Sequence, residues 1–289
     1  MTGASGAADQ MNDDLSTEAA LARLLDFLRP LGSVAVGFSG GVDSTVVVAA
    51  AMRALGANGV LAVTADSETL PAAELEAARQ LAAALGAPHA VIRTHELECR
   101  DFAANAPDRC YHCKTELWRR VGRLAADRGI RHVADGVNAD DLGDFRPGIR
   151  ASDEAGVVHP LAAIGAGKQQ VRQLAAALGL ANWDKPAQAC LSSRFPYGSA
   201  ITAEGLKRVE TAEAFLRELG LSQLRVRSHG DIARIEVPDE SIAAVAAGRA
   251  GIVEAFRRLG FAYVTLDLEG FRSGSMNETL APGDSGKKQ

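Results

Sequence analysis

The sequence predicts an α/β protein: a doubly wound parallel sheet followed by a smaller C-terminal α+β domain. Three observations carry this reading. Short apolar runs of strand type alternate with helical stretches as far as residue 136. A glycine-rich loop, SGGVDS (39–44), stands at the first strand-to-helix junction. Beyond about Ala181 the pattern changes to a loop-rich, charged stretch, then a helix, two strands and short helices.

The elements follow in order. Residues 1–15 are acidic and rich in small residues and read as a disordered tail. Leu21, Leu24, Leu25 and Leu28 mark one face of a helix from about Ser16 to Arg29, which Pro30 stops. SVAVGF (33–38) is a buried-type strand, followed by a helix to about Leu55. GVLAVTAD (59–66) is the second strand. PAAELEAARQLAAALG (71–86) is a helix with Pro71 suited to its first turn and Gly86 just past its end. HAVIRTH (89–95) is the third strand, and RHVADG (131–136) the fourth. Between them an irregular segment leads to CYHCK (110–114), which precedes a helix. Polar loops and a helix over about Lys168–Gly179 complete a domain of residues 16–181. The second domain, 182–275, holds a helix from about Thr202 to Leu219 and strands in QLRVRSHG and IARIEVP (223–238). Two short helices to about Leu259 and a last strand in 261–270 follow, then a flexible tail, 276–289.

Composition narrows the function. The 289 residues suit two domains, and 47% are hydrophobic, although 54 alanines inflate that figure. A net charge of −5 argues against a general nucleic-acid binder. No apolar run approaches the ~20 residues of a membrane span, and the N-terminus lacks a basic-then-apolar leader pattern. Four cysteines, Cys99, Cys110, Cys113 and Cys190, are too sparse for a disulfide scaffold. A cytoplasmic, reducing setting is expected, where a Cys-x-x-Cys pair is metal-binding or catalytic.

In SGGVDS, Gly40 and Gly41 let the backbone approach an anion closely. Ser39 and Ser44 offer hydroxyls, and the helix that starts there points N–H groups and its positive end at the ligand. Asp43 suits an anion site only if a cation bridges it to phosphate, which points to a Mg2+-nucleotide. The alternative is a glycine-rich turn without a ligand. The loop is neither a Walker A nor a dinucleotide fingerprint. Cys110 and Cys113, with Cys190 in ACLSSR, could hold three irons of a 4Fe–4S cubane and leave the fourth open. Zinc with His112 as a further ligand, or a redox disulfide between Cys110 and Cys113, are the other readings.

SGGVDS in this context resembles the pyrophosphate loop of the ATP pyrophosphatase (PP-loop) superfamily, of adenine nucleotide alpha hydrolase-like fold. The resemblance implies that Ser39, Gly40, Gly41, Asp43 and Ser44 hold pyrophosphate. It also puts Thr64 to Ser67 beside the adenosine and Asp135 and Gly136 at the same sheet edge. SGGVDS together with VTADSETLP (63–71), NAPDRCYHCK (105–114), DGVNADDLGDFRPG (135–148), HPL (159–161), KPAQACLSSRFPYG (185–198) and VRSHGDIARIEVP (226–238) resembles the LarE family of ATP-dependent sulfur transferases over nearly the whole chain. That family adenylates a carboxylate of pyridinium-3,5-biscarboxylic acid mononucleotide and converts it to a thiocarboxylate. The product feeds the nickel-pincer cofactor of lactate racemase. One branch sacrifices the sulfur of the cysteine matching Cys190 and leaves dehydroalanine. The other holds a 4Fe–4S cluster on three cysteines, and this sequence has them in Cys110, Cys113 and Cys190. The resemblance thus implies ATP, Mg2+ and a 4Fe–4S cluster as cofactors, a mononucleotide substrate, no nucleic acid or membrane partner, and a homo-oligomer, often a hexamer. It leaves the sulfur donor unnamed.

Arg194 is a candidate contact for the substrate phosphate or the adenylate. Lys114 and Lys185 flank cysteines and are candidates to contact phosphate or lower a thiol pKa. Arg225 and Arg227 alternate on a strand and share a face, where two guanidinium forks suit phosphate and carboxylate. Asp141 or Asp144, in a charged loop with Asp140 and Arg146, is a candidate Mg2+ ligand. Glu210, Glu213 and Glu236 read as surface charge or a metal or subunit contact. His112, His159 and His229 read as structural, Trp118 and Trp183 as packing, and Cys99 as a bystander thiol. The competing functions are a tRNA thiolase of the same superfamily, an amidotransferase of the NAD-synthetase kind, and a non-catalytic nucleotide- or metal-binding module.

Overall fold

The computed structural model describes residues 4–143, 147–186 and 188–272, with residues 4–15 described by backbone alone. The chain divides into two compact units. The first comprises residues 1–67, 72–94 and 113–188, and the second residues 68–71, 95–112 and 189–289.

The first unit is built on four parallel strands in the order β3-β2-β1-β4. They are β1 (Val34–Gly37), β2 (Val60–Asp66), β3 (His89–Arg93) and β4 (His132–Ala134). Side chains alternate across a strand, so a sheet covered on both faces needs apolar residues at every position. β1 and β2 meet this need. Val34, Val36, Val60 and Ala62 enter one apolar layer with α1 (Ala4–Leu28), α2 (Val42–Leu55), α3 (Ala72–Ala84) and α8 (Lys168–Ala177). Ala35, Leu61 and Val63 enter the opposite layer with Trp118, Val121 and Ala125 of α5 (Arg109–Asp127). Trp118 lies so close to β1 that a Cβ on Gly37 would stand 2.6 Å from its ring. Short helices α4 (Arg100–Ala103), α6 (Pro147–Glu154) and α7 (Pro160–Ala163) complete the helices numbered up to α8.

The second unit holds a three-stranded sheet in the order β5-β6-β7: β5 (Arg225–His229), β6 (Ile232–Glu236) and β7 (Tyr263–Leu266). β5 and β6 form an antiparallel hairpin, whereas β7 runs parallel to β6. That crossover is made by α10 (Asp239–Ala247) and α11 (Arg249–Arg258), as a parallel pair requires. Leu206, Val209 and Leu216 of α9 (Ala203–Glu218) are buried, as are Val226, Ile235, Phe256 and Phe261. Thr202 caps α9 by accepting from the Gly205 N–H at 3.0 Å.

The structure differs from the sequence expectation in four places. The α1 backbone runs back to Ala4, through residues expected as a tail. Cys110 and Cys113 lie inside the first turns of α5 rather than before it. The second unit draws in residues 95–112. The boundary after the first unit falls at 188 rather than 181, because residues 182–185 are tied to that unit. There the Asn182 amide donates to Gly40 O (3.2 Å) and Thr45 Oγ1 (3.0 Å), and Lys185 pairs with Glu74 at 2.7 Å. The expected tail 276–289 lies outside the described residues. No helix among the described residues is long and apolar enough to cross a membrane.

Candidate active site

The first unit carries the glycine-rich loop between β1 and α2. Gly40 adopts φ +71°, which glycine takes without strain, and a Cβ there would meet Ala78 at 3.3 Å. Gly41 is extended and forms the N-cap of α2. The two serines brace the turn. The Ser44 hydroxyl donates to Gly41 O (3.1 Å), the Ser39 N–H donates to Ser44 Oγ (3.3 Å), and the Gly41 N–H donates to Ser39 Oγ (3.3 Å). Thr45 Oγ1 donates to Gly41 O at 2.8 Å. The first N–H groups of α2 have no intrahelical partners by geometry, so the loop ends in an anion-seeking helix start. Gly136, just after β4, packs against it: a Cβ there would sit 2.7 Å from Ser44 N.

Acidic groups flank this loop. Burial pushes the Asp43 carboxyl above its ordinary range; the Asn138 amide, donating at 3.2 Å, opposes this, and the nearby Asp141 carboxylate adds to it. Asp141 is buried, accepts from the Asn138 N–H at 3.3 Å, and has Lys168 Nζ at 3.7 Å. Asp140 caps α8 by accepting from the Lys168 N–H at 2.7 Å. Asp144 and Arg146 lie outside the described residues. Asp135 accepts from the Val137 N–H (3.0 Å) and pairs with His159 Nδ1 (2.7 Å), while His159 Nε2 meets Asp153 at 3.0 Å. The Asp135 hydrogen bond raises the His159 imidazole above its ordinary range, against burial and with help from Asp153. The Thr64 hydroxyl is turned inward, donating to Phe38 O (2.7 Å) and lying 2.8 Å from His89 Nε2. Ser67 is half-buried at the end of the unit's first segment.

The second unit carries Cys190 on a differently built turn. The Cys190 backbone is extended and leads into the 3-10 turn Leu191–Arg194, and its thiol side is exposed. Arg194 is 1% exposed and grips Glu213 side-on, with Nε to Oε1 at 2.8 Å and Nη2 to Oε2 at 3.0 Å. Its Nη1 donates back to Ala189 O (2.9 Å), Cys190 O (3.2 Å) and Ser193 Oγ (2.9 Å). Arg227 pairs with Glu236 through Nε and Nη2 (3.0 and 2.8 Å), and its Nη1 donates to Ser193 O at 2.9 Å. Two buried arginines therefore pin the backbone on which the thiol is carried. Glu213 and Glu236 are both 0% exposed, so they anchor those arginines and are not surface charge. Burial alone would raise the Glu213 pKa. The Arg194 hydrogen bond and charge, the Val226 N–H and Arg217 together hold it below the ordinary range.

Arg225 differs from its neighbours. It stands opposite Glu236 in strand register, but its guanidinium donates to Leu224 O (2.9 Å) and lies 5.0 Å from the Phe271 ring. Burial, then the Arg194 charge, lowers its pKa to about 10, with Arg227 and Arg217 adding and Glu213 opposing. Arg225 is thus a buried cation with other cations near it and Glu213 partly offsetting them.

A second contact in this unit joins two motifs distant in sequence. Asn105, buried at φ +59°, donates its amide to Pro196 O (2.7 Å) and Phe195 O (3.3 Å) and accepts from Arg109. Arg109 stacks over the Tyr197 ring at 4.8 Å. Burial raises the Tyr197 phenol, Arg109 opposes this, and the nearby Cys110 and Cys190 side chains raise it further. Cys110 and Cys190 therefore neighbour one phenol, and Cys113 follows Cys110 by three positions on the same face of α5.

The remaining sequence candidates have partners within the protein. Lys114 Nζ sits 5.2 Å from the Trp118 ring centre, and Lys185 is paired with Glu74. Arg194, expected at the substrate, spends its donors on Glu213 and the Cys190 turn. Asn105, Arg109, Tyr197, Asn138 and Asn182 were not singled out by the sequence. Their only signal was presence inside the quoted motifs or, for Asn182, just before one.

Residues 16–134 match the asparagine synthase family. An uncharacterized protein of Synechocystis sp. is 48% identical over 91% of this chain and 98% of its own length. The pyridinium-3,5-bisthiocarboxylic acid mononucleotide synthase of Lactiplantibacillus plantarum is 42% identical over 90% of this chain and 94% of its own. Argininosuccinate synthase of Halobacterium salinarum is 37% identical over 43% of this chain and 34% of its own. With its parallel sheet, its SGGVDS loop and these matches, the chain belongs to the LarE family within the ATP-using PP-loop superfamily.

Proposed function

We propose that the chain is an ATP-dependent sulfur transferase acting on pyridinium-3,5-biscarboxylic acid mononucleotide. In this reading the product is the thiocarboxylate used in building a nickel-pincer nucleotide for lactate racemase. The observation that carries it is the Cys190 turn: an exposed thiol on a backbone clamped by the buried Arg194 and Arg227.

The chemistry divides between the units. In the first, the loop Ser39–Ser44 and the start of α2 hold the β- and γ-phosphates of ATP. Asp43 and Asp141, two buried or part-buried carboxylates that repel each other, would hold a Mg2+ ion, which would supply positive charge to offset the phosphates. Thr64, Ser67, Asp135 and Gly136 line the adenosine edge, Thr64 through the fold of its strand rather than its inward-turned hydroxyl. A substrate carboxylate oxygen attacks the α-phosphorus, and pyrophosphate leaves. No strong base is needed, since the carboxylate is already ionised at neutral pH. A sulfur nucleophile then adds to the acyl carbon, and AMP leaves.

In the second unit, Arg225 binds the substrate phosphate, with Arg227 and Arg194 fixing the turn. In the first unit, Lys185 pairs with Glu74 and Lys114 lies over the Trp118 ring, each within reach of a phosphate only by leaving that partner. Cys110 and Cys190 both act on the Tyr197 phenol, and Cys113 follows Cys110 by three positions in α5, a donor set whose thiols suit iron. When bound, a 4Fe–4S cluster held by Cys110, Cys113 and Cys190 supplies a soft sulfide as the nucleophile. A cytoplasmic setting, an assembly of identical subunits and independence from nucleic acid rest on the family resemblance.

Intact-mass analysis after a single turnover with ATP and the dicarboxylate tests the reading. An unchanged chain mass with thiocarboxylate product supports cluster-borne sulfur. A loss of about 34 Da would instead mark Cys190 giving up its own sulfur as hydrogen sulfide equivalent. RNA-dependent ATP turnover without thiocarboxylate would replace the reading with a tRNA thiolase.

A further inference from the structure

Cys99 has no part in the reading above, yet it is not isolated. It precedes the short helix α4 as its N-cap, and Asp101 lies in the first turn of that helix. His112 stands in the first turns of α5. One donor atom each from Cys99, Asp101 and His112 lies within 4.8 Å of the other two. All three belong to the second unit. Cys99 and His112 are half-buried, and Asp101 is exposed.

We propose that Cys99, Asp101 and His112 form a divalent transition-metal site of the zinc class, separate from the three-cysteine group. A thiolate, an imidazole and a carboxylate form a mixed set that borderline cations favour. Mg2+ and Ca2+ would not recruit the sulfur. Three protein donors leave a fourth position for water on the side where Asp101 is exposed. His112 also has a carboxylate beside it, Asp108 Oδ2 at 3.5 Å from Nε2, of the kind that orients metal-bound histidines. The ion would join the two ends of the segment between Cys99 and His112. That segment is already shaped by the left-handed Asn105 and its bonds to the Phe195–Pro196 backbone. Closing it would fix the first turn of α5, which bears Cys110.

The test uses the full-length chain carrying Cys110→Ser, Cys113→Ser and Cys190→Ser, so that Cys99 is the one thiol left, with Co2+ as the probe. The expected result is one equivalent of Co2+ bound with a thiolate-to-cobalt charge-transfer absorption that Zn2+ displaces. Adding Cys99→Ser removes that absorption, and adding His112→Ala weakens binding tenfold or more. No such absorption in a chain with a native circular-dichroism spectrum, or absorption that survives Cys99→Ser, overturns the site. Should the triple variant fail to fold, alkylation of the unaltered chain decides. Zn2+ protects Cys99 from iodoacetamide if the site exists, and a Cys99 fully labelled at saturating Zn2+ contradicts it. Neither arm involves ATP or the mononucleotide, so failure here leaves the proposed sulfur transfer untouched.

Discussion

The SGGVDS loop and the Cys190 turn are two solutions to one problem, holding a reactive backbone still. The loop is held by its own neighbours: Gly40 in the left-handed region, two serine hydroxyls bonding within a few residues, and Gly136 pressed against Ser44. The turn is held by buried charge from afar: Arg194 answered by Glu213 and Arg227 answered by Glu236. A local device fails by steric collision and a remote one by leaving a charge unanswered. The two should therefore break in different currencies.

The largest effect is expected at Glu213. Glu213→Gln leaves Arg194 buried without its carboxylate and should destabilise the protein by about 3–5 kcal/mol, read by denaturant unfolding. The sharper form pairs Glu213→Leu with Arg194→Met. Recovery of most of that stability, with the Cys190 turn loosened and sulfur transfer still impaired, would show that the pair serves position rather than stability. Arg217 also pairs with Glu213, so some deficit should remain.

Gly136→Ala should cost less stability, about 1–3 kcal/mol, because one methyl is forced against the loop backbone. Its main consequence should be loss of ATP-dependent pyrophosphate release. Unchanged release would mean that the approach of Gly136 to Ser44 is not needed for the loop to hold phosphate. Arg225→Met should do the reverse. Folding stability should hold or rise slightly, since a crowded buried cation is removed. The KM for the mononucleotide should rise roughly tenfold, as expected for loss of a charge-assisted hydrogen bond.

The smallest effect concerns pH. His159 is raised in the folded state by Asp135, so its contribution is fully present below the unfolded histidine pKa of about 6.5. It is lost as pH rises through the higher folded value. Glu213 has the opposite sign: its lowered pKa contributes above the unfolded glutamate value and is lost as pH falls through the folded one. His159→Gln should lower stability at and below about pH 6.5, flatten the profile on the near-neutral side, and leave the acid-side slope set by Glu213 unchanged. A profile identical to the parent's would remove His159 from the account.

The same contrast explains what could be read from the sequence. SGGVDS was legible because everything that shapes it lies within six residues, flanked by a strand and a helix whose periodicity is plain. The parallel sheet was legible for the same reason. The parallel β7 was not, since an apolar strand after two helices does not announce which way it pairs. The arginines were legible as chemistry and not as roles. Only the pairing of Arg194 with Glu213, nineteen positions away, separates a clamp from a substrate contact. Asn105 and Tyr197 likewise acquire meaning from contacts across some ninety residues. Pairings at such distances carry no periodic signal in one sequence.

The central claim is that Cys190 delivers or holds the sulfur after the substrate carboxylate has been adenylated. Single turnover of Cys190→Ser with ATP and pyridinium-3,5-biscarboxylic acid mononucleotide, following pyrophosphate and thiocarboxylate together, tests it most directly. Pyrophosphate should still be released while thiocarboxylate is lost, because adenylation and sulfur transfer are divided between separate residues. Thiocarboxylate formed at the rate of the unaltered chain would contradict the account.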